Sequence, residues 1–598
     1  MCGIAGVIST SGPVPVSVIK MMTDAMSHRG PDGEGHHIED TFAFGHRRLS
    51  IVDLSDAGHQ PMIYLDRYVI TYNGEIYNHD ELRIDLVKAG YRFSGHSDTE
   101  VILAAYDCWG PECLKRFNGM WAFVIYDYRE KTFFISRDRF GVKPLYFYRN
   151  SKALVFASEL KAILEHPNVA RRINYNYLDK YLSQGPQEYL EETVFEGISK
   201  FPKASYAIVT AEEAVAQLQT HLFWSVHTND SQESFSSEKA AEYAKQYYEL
   251  LRDAVRIRLK ADVKVGSALS GGLDSSSIVY LVNQILKSEG KDELQQTFSS
   301  VFQTEETKYC DESYYIHKVI DQLKVKANLG TVDESEIIDI HYNVIKSYES
   351  PPDNTCIAGP VVFRVVKSTN VKVTLDGQGA DEQLAGYLGY LNTYLTSLSY
   401  ADFFKEAPHV LKIPRAWKHV VTAFLMLNFR ILFGERQLVS TLKRLGFDYE
   451  TNLNKRLKKD FDTALVNLLH YSDRVSMAYS IESRAPFMDY RLVEFLCSVP
   501  ACYKIHKGWT KYIARLAFNG KLPDEICWRQ DKMGWPSPEE YWFRRTRLRS
   551  WFVDTVASST LVKKLRPELN VERELDSTSM TKMIRFLNIA VFEKIFGK

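Results

Sequence analysis

The chain has 598 residues, which is longer than one ordinary domain and predicts roughly two to four domains. Hydrophobic residues make up 45% and charged residues 25% of the chain, and this balance excludes a disordered protein. Lys and Arg number 74 against 75 Asp and Glu, so a formal net charge of -1 excludes an overall positive field for nucleic acid or an anionic membrane.

The cysteines and the apolar stretches bear on where the protein works. Eight cysteines are scattered without a CxxC pair or a metal-ligand spacing, so we expect free thiols in a reducing compartment, the cytoplasm. The first residues do not resemble a secretory signal. The stretch "VVTAFLML" at 420–427 is too short to span a membrane and predicts a buried helix. We therefore expect neither a membrane nor a nucleic-acid partner.

The first part of the chain predicts a sheet-rich domain over residues 2–210. Runs such as "YVITYNGEIYN", "WAFVIYDYREKTFFISRD" and "ALVFASE" are rich in aromatic and β-branched residues, with Gly, Asn and Asp between them. A helix is predicted at 98–109, with Asp98 and Thr99 as N-cap candidates. The polar stretch "HTNDSQESFSSEKA" at 227–240 predicts a linker, taken as 211–240, although a decorated surface loop is an alternative.

The remainder, 241–598, predicts an α/β domain that becomes mostly helical after about residue 400. A short apolar strand, "VKVGSAL" at 263–269, leads through "SGGLDS" into an amphipathic helix, and "VKVTLDGQGADE" at 371–382 repeats this scheme. Strand, glycine turn and helix in succession predict a parallel sheet. Ligands bind beyond the carboxyl ends of such strands, so both turns should face one crevice.

The turn "SGGLDSS" has the composition of a phosphate site. Ser270, Gly271 and Gly272 precede a helix N-terminus, where backbone N–H groups bind anions. Asp274, and Asp381 in the second turn, offer carboxylates for a hard cation that bridges phosphates. A simple turn with a helix cap explains the first motif equally well when it is taken alone. Downstream, Lys511 and Arg515 lie four apart and could be a solvated helix face or the positive charge of a triphosphate site.

Nine motifs resemble, in order and over nearly the whole chain, those of glutamine-dependent asparagine synthetases: "MCGIAG", "HRGPDGEG", "RLSIVD", "NGEIYN", "SDTE", "SGGLDSS", "DGQGADE", "DRVSMAYSIESRAPFMD" and "DKMGWPSP". The resemblance implies an α+β N-terminal-nucleophile αββα sandwich, followed by an α/β adenine-nucleotide α-hydrolase-like domain with a helical C-terminal part. It also implies that glutamine hydrolysis supplies ammonia to an acyl-adenylate. That adenylate forms from Mg²⁺-ATP and aspartate, and the products are asparagine, AMP and pyrophosphate.

The resemblance assigns the glutaminase chemistry to Cys2. Removal of Met1 would free an α-amine whose pKa of about 7.7–8.0 suits a general base, and the thiolate would then attack the glutamine amide. Asn73 and Gly74 would stabilise the oxyanion, although Asn-Gly also favours a hairpin turn. Asp98 is expected to hold the α-ammonium, or else only to cap its helix. The residues implied around glutamine are Arg48, for the α-carboxylate, Asn73, Glu75, Asn78 and Asp98.

The resemblance also assigns residues to the synthetase half. Those implied for ATP are Leu269, Ser270, Gly271, Gly272, Asp274, Ser275, Val301, Asp376 and Gly377. Asp274 and Asp381 would bind Mg²⁺, and Lys511 would neutralise phosphate charge. Gln378, Glu482 and Arg484 would lie along the acceptor and ammonia path. Gln378 stands where many members carry glutamate ("SGEG"), and a glutamine cannot accept a proton at neutral pH, so aspartate is not the sole candidate acceptor.

Other interpretations stay open from the sequence. The same chemistry could act on another carboxylate, in the amidation or cyclisation of a secondary metabolite or a peptide. Relatives that close rings tend to have a degraded glutaminase half, whereas the residues assigned to that half are intact here. A catalytically silent metabolite-binding or scaffold protein is the alternative of another class, and retention of both sets of site residues argues against it. Small-molecule substrates are the expected partners, with a homodimer expected because relatives are often dimers.

Overall fold

The computed structural model describes residues 2–231, 233–290, 295–414, 416–530 and 537–597. Most of the motif "DKMGWPSP" therefore lies outside the described residues. The strands of the first domain are β1 (Gly3–Ser9), β2 (Gly33–Ile38), β3 (Phe42–Arg48), β4 (Met62–Tyr64), β5 (Tyr68–Ile76), β6 (Gly119–Asp127), β7 (Thr132–Arg137), β8 (Tyr146–Arg149), β9 (Ala153–Ala157), β10 (Ile198–Lys200), β11 (Ser205–Val209) and β12 (His221–Leu222). They form antiparallel sheets in the orders β10-β8-β9-β1-β3-β2 and β12-β11-β7-β6-β5-β4.

Helices cover the outer faces of these sheets. They are α1 (Val16–Asp24), α2 (His79–Lys88), α3 (Asp98–Trp109), α4 (Cys113–Arg116), α5 (Leu160–Leu164), α6 (Tyr175–Gln184) and α7 (Ala211–Ala216). Residues of β1 alternate between the two sides, because successive strand side chains point to opposite faces. Ile4 and Ile8 pack against the other sheet, whereas Val7 packs toward Met22 of α1. Helix α3 covers the second sheet, so the expected αββα sandwich is confirmed.

Two local expectations in this domain differ from the structure. The helix at 98–109 has the predicted bounds, but its N-cap is Ser97, whose side chain makes no capping hydrogen bond, so Asp98 and Thr99 are not the caps. Asn73 and Gly74 do not form a hairpin turn. They lie inside β5, opposite Ala122 and Trp121 of β6, because the long ladder between these strands continues through them.

Part of the predicted linker, 211–240, folds onto the first domain. Helix α7 is closed at its start by a capping box at Thr210, and it buries Ala211 and Ala214 against the sheets. The short strand β12 then pairs with β11. The connection that remains, about 223–236, is anchored to the second domain by the Asn229 N–H, which donates to the Cys497 carbonyl at 2.9 Å. The inter-domain connection is therefore shorter than the predicted 211–240, because α7 and β12 belong to the first domain and α8 begins at Ser237.

The second domain is built on the expected parallel sheet. Its strands are β13 (Lys264–Ala268), β14 (Gln296–Ser300), β15 (Lys326–Gly330), β16 (Val371–Leu375) and β17 (Glu482–Arg484), in the order β15-β14-β13-β16-β17. The chain returns to β16 on the other side of β13, so β13 lies at the point where the strand order reverses. The loops that follow β13 and β16 consequently face the same crevice.

Helices make up most of the rest of this domain. They are α8 (Ser237–Arg258), α9 (Leu273–Ser288), α10 (Ser313–Leu323), α11 (Ile337–Tyr348), α12 (Ala358–Lys367), α13 (Ala380–Leu384), α14 (Gly389–Ser397), α15 (Tyr400–Val410), α16 (Trp417–Phe433), α17 (Glu435–Arg444), α18 (Leu453–Asp462), α19 (Ala464–Ala478), α20 (Tyr490–Ser498), α21 (Ala501–Lys504), α22 (Tyr512–Phe518), α23 (Asp524–Cys527), α24 (Glu539–Arg545), α25 (Leu548–Ser558), α26 (Thr560–Leu565), α27 (Val571–Ser577) and α28 (Met580–Phe596).

The apolar helix at 420–427 is not buried as expected. It belongs to α16, which buries Val420, Ala423 and Leu427 on one side and exposes Val421 and Leu425 on the other. The sequence is apolar on both sides of the helix, but only one side is covered by neighbouring helices. Among the helices that the structure describes, none has the length and apolar character needed to cross a membrane.

Candidate active sites

Cys2 lies just before β1 and beside the middle of β5. Its backbone nitrogen, which becomes the α-amine if Met1 is removed, donates to Asn73 Oδ1 at 3.0 Å. Asn73 is fully buried, and its Nδ2 has no hydrogen-bond partner among the described residues. Burial is the largest influence on the Cys2 thiol and raises its pKa. An unpaired amide donor beside a cysteine is suited to stabilising an oxyanion.

A small cavity opens next to Cys2 and collects most of the residues implied for glutamine. Arg48, Gly74, Glu75 and Asp98 line it. A Cβ atom at Gly74 would lie only 2.2 Å from the Met120 carbonyl oxygen, so this position needs glycine. Three further residues line the wall without having been assigned to the site from the sequence: Gln60, which no motif marks, Tyr72, which directly precedes "NGEIYN", and Thr99, which lies inside "SDTE". They form one network, because the Tyr72 N–H donates to Gln60 Oε1 at 2.7 Å and Gln60 Nε2 donates to Thr99 Oγ1 at 3.2 Å.

Buried carboxyl groups form one end of this cavity. Asp98 accepts hydrogen bonds from the Tyr72 hydroxyl at 2.8 Å and the Ile76 N–H at 2.9 Å. Burial raises the pKa of Asp98. Burial also raises the pKa of Glu75, and the charge of Glu482 is the next largest cause. A bound ammonium group would favour the charged form of both carboxyl groups, since an opposite charge nearby favours ionisation.

Arg48 and Asn78 differ from their expected roles. Arg48 lines the cavity, but its guanidinium donates to the carbonyl oxygens of Asp53 and, at 2.8 Å, Ser55. Its hydrogen-bonding capacity is thus partly used by the backbone. Asn78 does not line the cavity, because its amide bridges Arg116 O at 2.9 Å and the Asn118 N–H at 2.8 Å at the start of α2. In the structure its side chain therefore holds the start of α2 instead of facing the cavity.

A second cavity, of about 360 Å³, lies at the carboxyl ends of β13 and β16. Of the predicted nucleotide residues it is lined by Ser270, Gly272, Asp274, Ser275, Asp376 and Gly377. Gly271 has a φ of 75°, and a Cβ there would meet Tyr315 at 2.8 Å, so the tight turn requires glycine. The N-terminal residues of α9, Asp274 and Ser275, and its N-cap Gly272 line this cavity, and a helix N-terminus is suited to binding an anion.

Opposite charges from distant parts of the chain meet in this cavity. The Lys511 ammonium contacts Asp274 and lies 2.6 Å from Asp381 Oδ1. Two carboxylates that already hold one cation between them fit Mg²⁺, which takes oxygen ligands and usually keeps only one or two carboxylates besides phosphates and water. No group of three or more potential metal ligands occurs within the described ranges.

Three predicted positions lie away from the second cavity. Leu269 and Val301 are buried in the core behind the sheet and do not line it, because their side chains turn toward the neighbouring helices. Arg515 does not join Lys511. Lys511 caps the start of α22, whereas Arg515 donates to the carbonyl oxygens of Thr510 at 2.7 Å and Cys527 at 2.6 Å.

The residues predicted for the acceptor and ammonia path are separated. Gln378 lines the second cavity, and its N–H donates to Asp376 Oδ1 at 3.1 Å. Glu482 and Arg484 are fully buried in β17, where Arg484 Nε donates to Glu482 Oε1 at 2.5 Å. Arg484 also lies 3.7 Å from Glu75 of the first cavity. These two residues therefore lie between the cavities rather than in the second one.

Helix α19 connects the two cavities through groups that the sequence analysis missed. Arg29 Nε donates to the Cys2 carbonyl at 2.9 Å, and its Nη atoms donate to both oxygens of Asp473 at 2.9 and 3.2 Å. The adjacent Ser472 donates to Asp376 at 3.2 Å. Arg29 lies in the motif "HRGPDGEG" and Asp473 opens the motif "DRVSMAYSIESRAPFMD", but neither motif indicates that the two residues pair.

Comparisons with known proteins agree with this arrangement of two sites. Residues 1–224 match the glutamine amidotransferase domain model, and residues 246–587 match the asparagine synthase model. "Asparagine synthetase [glutamine-hydrolyzing] 3" of Bacillus subtilis is 30% identical, over 93% of this chain and 90% of its own. A putative asparagine synthetase of Methanocaldococcus jannaschii is 36% identical, over 69% of this chain and 80% of its own.

A relative with a different name belongs to the same set. "Amidase chry2" of Gibberella zeae is 27% identical, over 91% of this chain and 90% of its own. The asparagine synthase model covers more than half of the chain, and the match to the Bacillus relative covers 93% of it. The chain therefore belongs to the glutamine-hydrolysing asparagine synthetase family.

Proposed function

We propose that this protein is a glutamine-dependent amidotransferase that activates a carboxylate with ATP. The observation that carries the proposal is the convergence of Asp274, Asp381 and Lys511 at the glycine-rich ends of two parallel strands. Pyrophosphate would lie on the loop 270–275 and the N-terminus of α9, and Asp274 and Asp381 would hold Mg²⁺. When bound, Mg²⁺ neutralises phosphate charge and orients the triphosphate.

The first half-reaction is proposed at Cys2. The free α-amine accepts the thiol proton, the thiolate attacks the glutamine amide, and ammonia leaves as the thioester forms. Asn73 Nδ2 donates to the oxyanion, and Asp98 holds the substrate ammonium. Hydrolysis of the thioester then releases glutamate. Ammonia would pass Glu75 and Arg484, which lie between the cavities, and attack the acyl-adenylate to give an amide and AMP.

Aspartate is the acceptor that family membership favours, and asparagine would be the product. The names of the Bacillus and Methanocaldococcus relatives support this choice. The residues that would bind ATP do not depend on the acceptor, so amidotransferase chemistry and acceptor identity are separate parts of the proposal.

A different carboxylate is the second candidate, and the lining of the cavity favours it. Among the described residues that line it, the charged ones are acidic: Asp274, Asp353, Asp376 and Asp381. Among the described residues, the cations next to this lining are already paired, Lys511 with Asp274 and Asp381 and Arg585 with Asp353. Free aspartate brings a second carboxylate that needs a counter-charge, and these residues supply none. Gln378 also replaces the common glutamate, and one relative is named an amidase.

A pyrophosphate-release screen with ammonia supplied tests both candidates. The purified full chain is incubated with Mg²⁺-ATP and, one at a time, aspartate, glutamate, uronic acids, small peptides and aromatic acids. Release with aspartate, together with asparagine in the product, supports the first candidate. Release only with another acid selects the second candidate. No release with any acid, and no glutamate from glutamine, would favour a catalytically silent protein.

Intact mass of the active enzyme tests the nucleophile. We expect a mass that lacks Met1, because only then does Cys2 carry the free amine. Retention of Met1 on enzyme that hydrolyses glutamine would contradict the mechanism.

A further inference from the structure

Helices α15 and α16 present an apolar surface that no described residue covers, and the basic helix α17 packs beside α16; we refer to this surface together with α17 as the α15–α17 face. On α16, Trp417, Val421, Leu425 and Leu432 expose 55%, 50%, 64% and 73% of their area. Their spacing of four, four and seven residues puts them on one side of the helix. The opposite side of α16 packs into the core of this region. The exposed apolar residues are therefore not needed to hold the helix in place.

Neighbouring aromatic residues widen this face. Phe404 of α15 is 62% exposed, stacks on Tyr400 and contacts Phe424 of α16. Leu411 and Phe433, near the ends of these helices, are also more than half exposed. Monomeric soluble proteins rarely expose contiguous apolar patches above a few hundred Å², and larger ones mark interaction surfaces. A helix that is apolar on both sides normally has both sides covered.

The charges around the face are mostly basic. Within the described part of 400–445, which spans α15 to α17, the acidic residues are Asp402, Glu406 and Glu435. The basic residues there are Lys405, Lys412, Lys418, Arg430, Arg436, Lys443 and Arg444. Lys405 is paired with Asp402, and Arg430 donates to the carbonyl oxygens of Ser397 and Leu398, whereas the other five form no ion pair with the described residues. The excess is local, because the whole chain has a formal net charge of -1.

We propose that the α15–α17 face binds the surface of an anionic lipid bilayer. Helix α16 would lie in the plane of the interface, with its apolar stripe at the boundary between headgroups and acyl chains and its lysines and arginines among the lipid phosphates. Helices that lie in a membrane interface typically carry Trp, Phe and Leu on one face with lysines and arginines beside them, and α16 and its neighbours have this composition. A second copy of the chain is disfavoured, because its own excess of cations would be brought against this one. Binding of this kind is peripheral and departs from the expectation of no membrane partner.

The test is flotation of the purified full chain with lipid vesicles. We expect the protein to float with vesicles of phosphatidylcholine containing 30% phosphatidylglycerol, as a chosen composition, and to stay behind with phosphatidylcholine alone. Raising the salt from about 0.1 to 1 M should release it, because the Debye length falls from about 10 to 3 Å. The acceptor of the enzyme does not enter this experiment, so its result is separate from that of the proposed function.

Matched variants separate the apolar and the charged contributions. Leu425→Glu and Leu432→Glu should lower the vesicle partition coefficient by at least about tenfold, because a buried leucine is lost from the lipid. Lys418→Gln and Lys443→Gln should each lower it by about fivefold. Ile84→Glu and Lys88→Gln on α2, which alter an exposed isoleucine and an exposed lysine away from this face, should leave it unchanged. Thermal unfolding of every variant checks that it is folded.

Three results would overturn the proposal. Equal binding to both kinds of vesicle would exclude recognition of anionic lipid. Absence of binding, with a solution mass that changes from dimer to monomer in Leu425→Glu, would assign the face to a second copy. Absence of binding with no change in mass would leave the face to a protein partner and would also contradict lipid binding.

Discussion

The two cavities differ in how their buried carboxyl groups are balanced by positive charge. The glutaminase cavity is small and lies within the αββα sandwich. Its carboxyl groups, Glu75 and Asp98, have pKa values that burial raises. The synthetase cavity is far larger, lies at strand ends, and pairs its carboxylates with Lys511 before any ligand binds. The first site is therefore poised to receive a cationic group, and the second to exchange one cation for another.

From this difference we infer which residues should affect only one of the two activities. Each cavity has its own charge balance, so a change at the chemical centre of one should leave the other functional. The groups on α19 and β17 touch both, so a change there should affect both.

Cys2→Ala should separate the half-reactions most clearly. We expect glutamate release from glutamine to fall by at least about 10³-fold, because no other group can form the thioester. Pyrophosphate release with ammonia should stay within about twofold of the parent protein, since no step of adenylation uses the thiol. Glutamate and pyrophosphate assays on the same preparation measure both values. Loss of both activities in a folded variant would show that the sites are not independent.

Asp381→Asn should have the converse effect. AMP formation should fall by about 10²–10³-fold, because one carboxylate that holds the cation of the triphosphate is lost. Glutaminase activity without ATP should persist. Asp402→Asn, at an exposed carboxylate of α15 paired with Lys405, is the control and should change neither activity. A normal rate of AMP formation in Asp381→Asn would refute the metal assignment.

Arg29→Met should weaken the connection between the domains. It would leave Asp473 and Glu159 buried without their shared guanidinium, and removing one partner of a buried ion pair costs about 3–5 kcal/mol. Urea or thermal unfolding at pH 7 measures the loss. Arg549→Met, at the exposed pair with Asp576, should cost no more than about 1 kcal/mol. Equal losses in the two variants would argue against a special role for Arg29.

Stability at low pH should report on Asp473. Burial alone would raise the pKa of Asp473, but Arg29 and Lys143 lower it to about 2. Because this pKa lies below the value of about 3.9 in the unfolded chain, its stabilisation is complete above about pH 4 and is lost as the pH falls through about 2. The contribution is about 2 kcal/mol. In Asp473→Asn, thermal unfolding from pH 5 to pH 2 should lack this component, and an unchanged pH profile would contradict the assignment.

Local patterns in the sequence account for most of the fold. Alternating apolar residues in runs such as "YVITYNGEIYN" predict strands, and a glycine turn between a strand and a helix predicts the nucleotide loop. The family resemblance then selects Cys2, Asp274 and Asp381, which line the cavities, and Asn73, which contacts Cys2. These features depend on residues close together in the chain, so they can be recognised without a structure.

What the sequence could not predict depends on distant contacts and on side-chain direction. Arg29 and Asp473 are 444 residues apart, and no local pattern pairs them. Leu269 and Asn78 fall at positions matched by the family, but a matched position does not fix where a side chain points. Leu269 turns into the core, and Asn78 holds a helix start. The apolar run at 420–427 predicted burial, and only the packing of α16 reveals that one side is open.

Helix α19 limits how chains of this kind can diversify in evolution. Its early residues Asn467, Leu468 and Tyr471 line the synthetase cavity, while Asp473, later on the same helix, is fixed by Arg29 of the other domain. We expect that a change at the start of this helix that shifts the helix would also move Asp473 relative to Arg29. An exchange of the first domain with that of a relative would keep this contact only where the incoming domain carries an arginine at the position of Arg29.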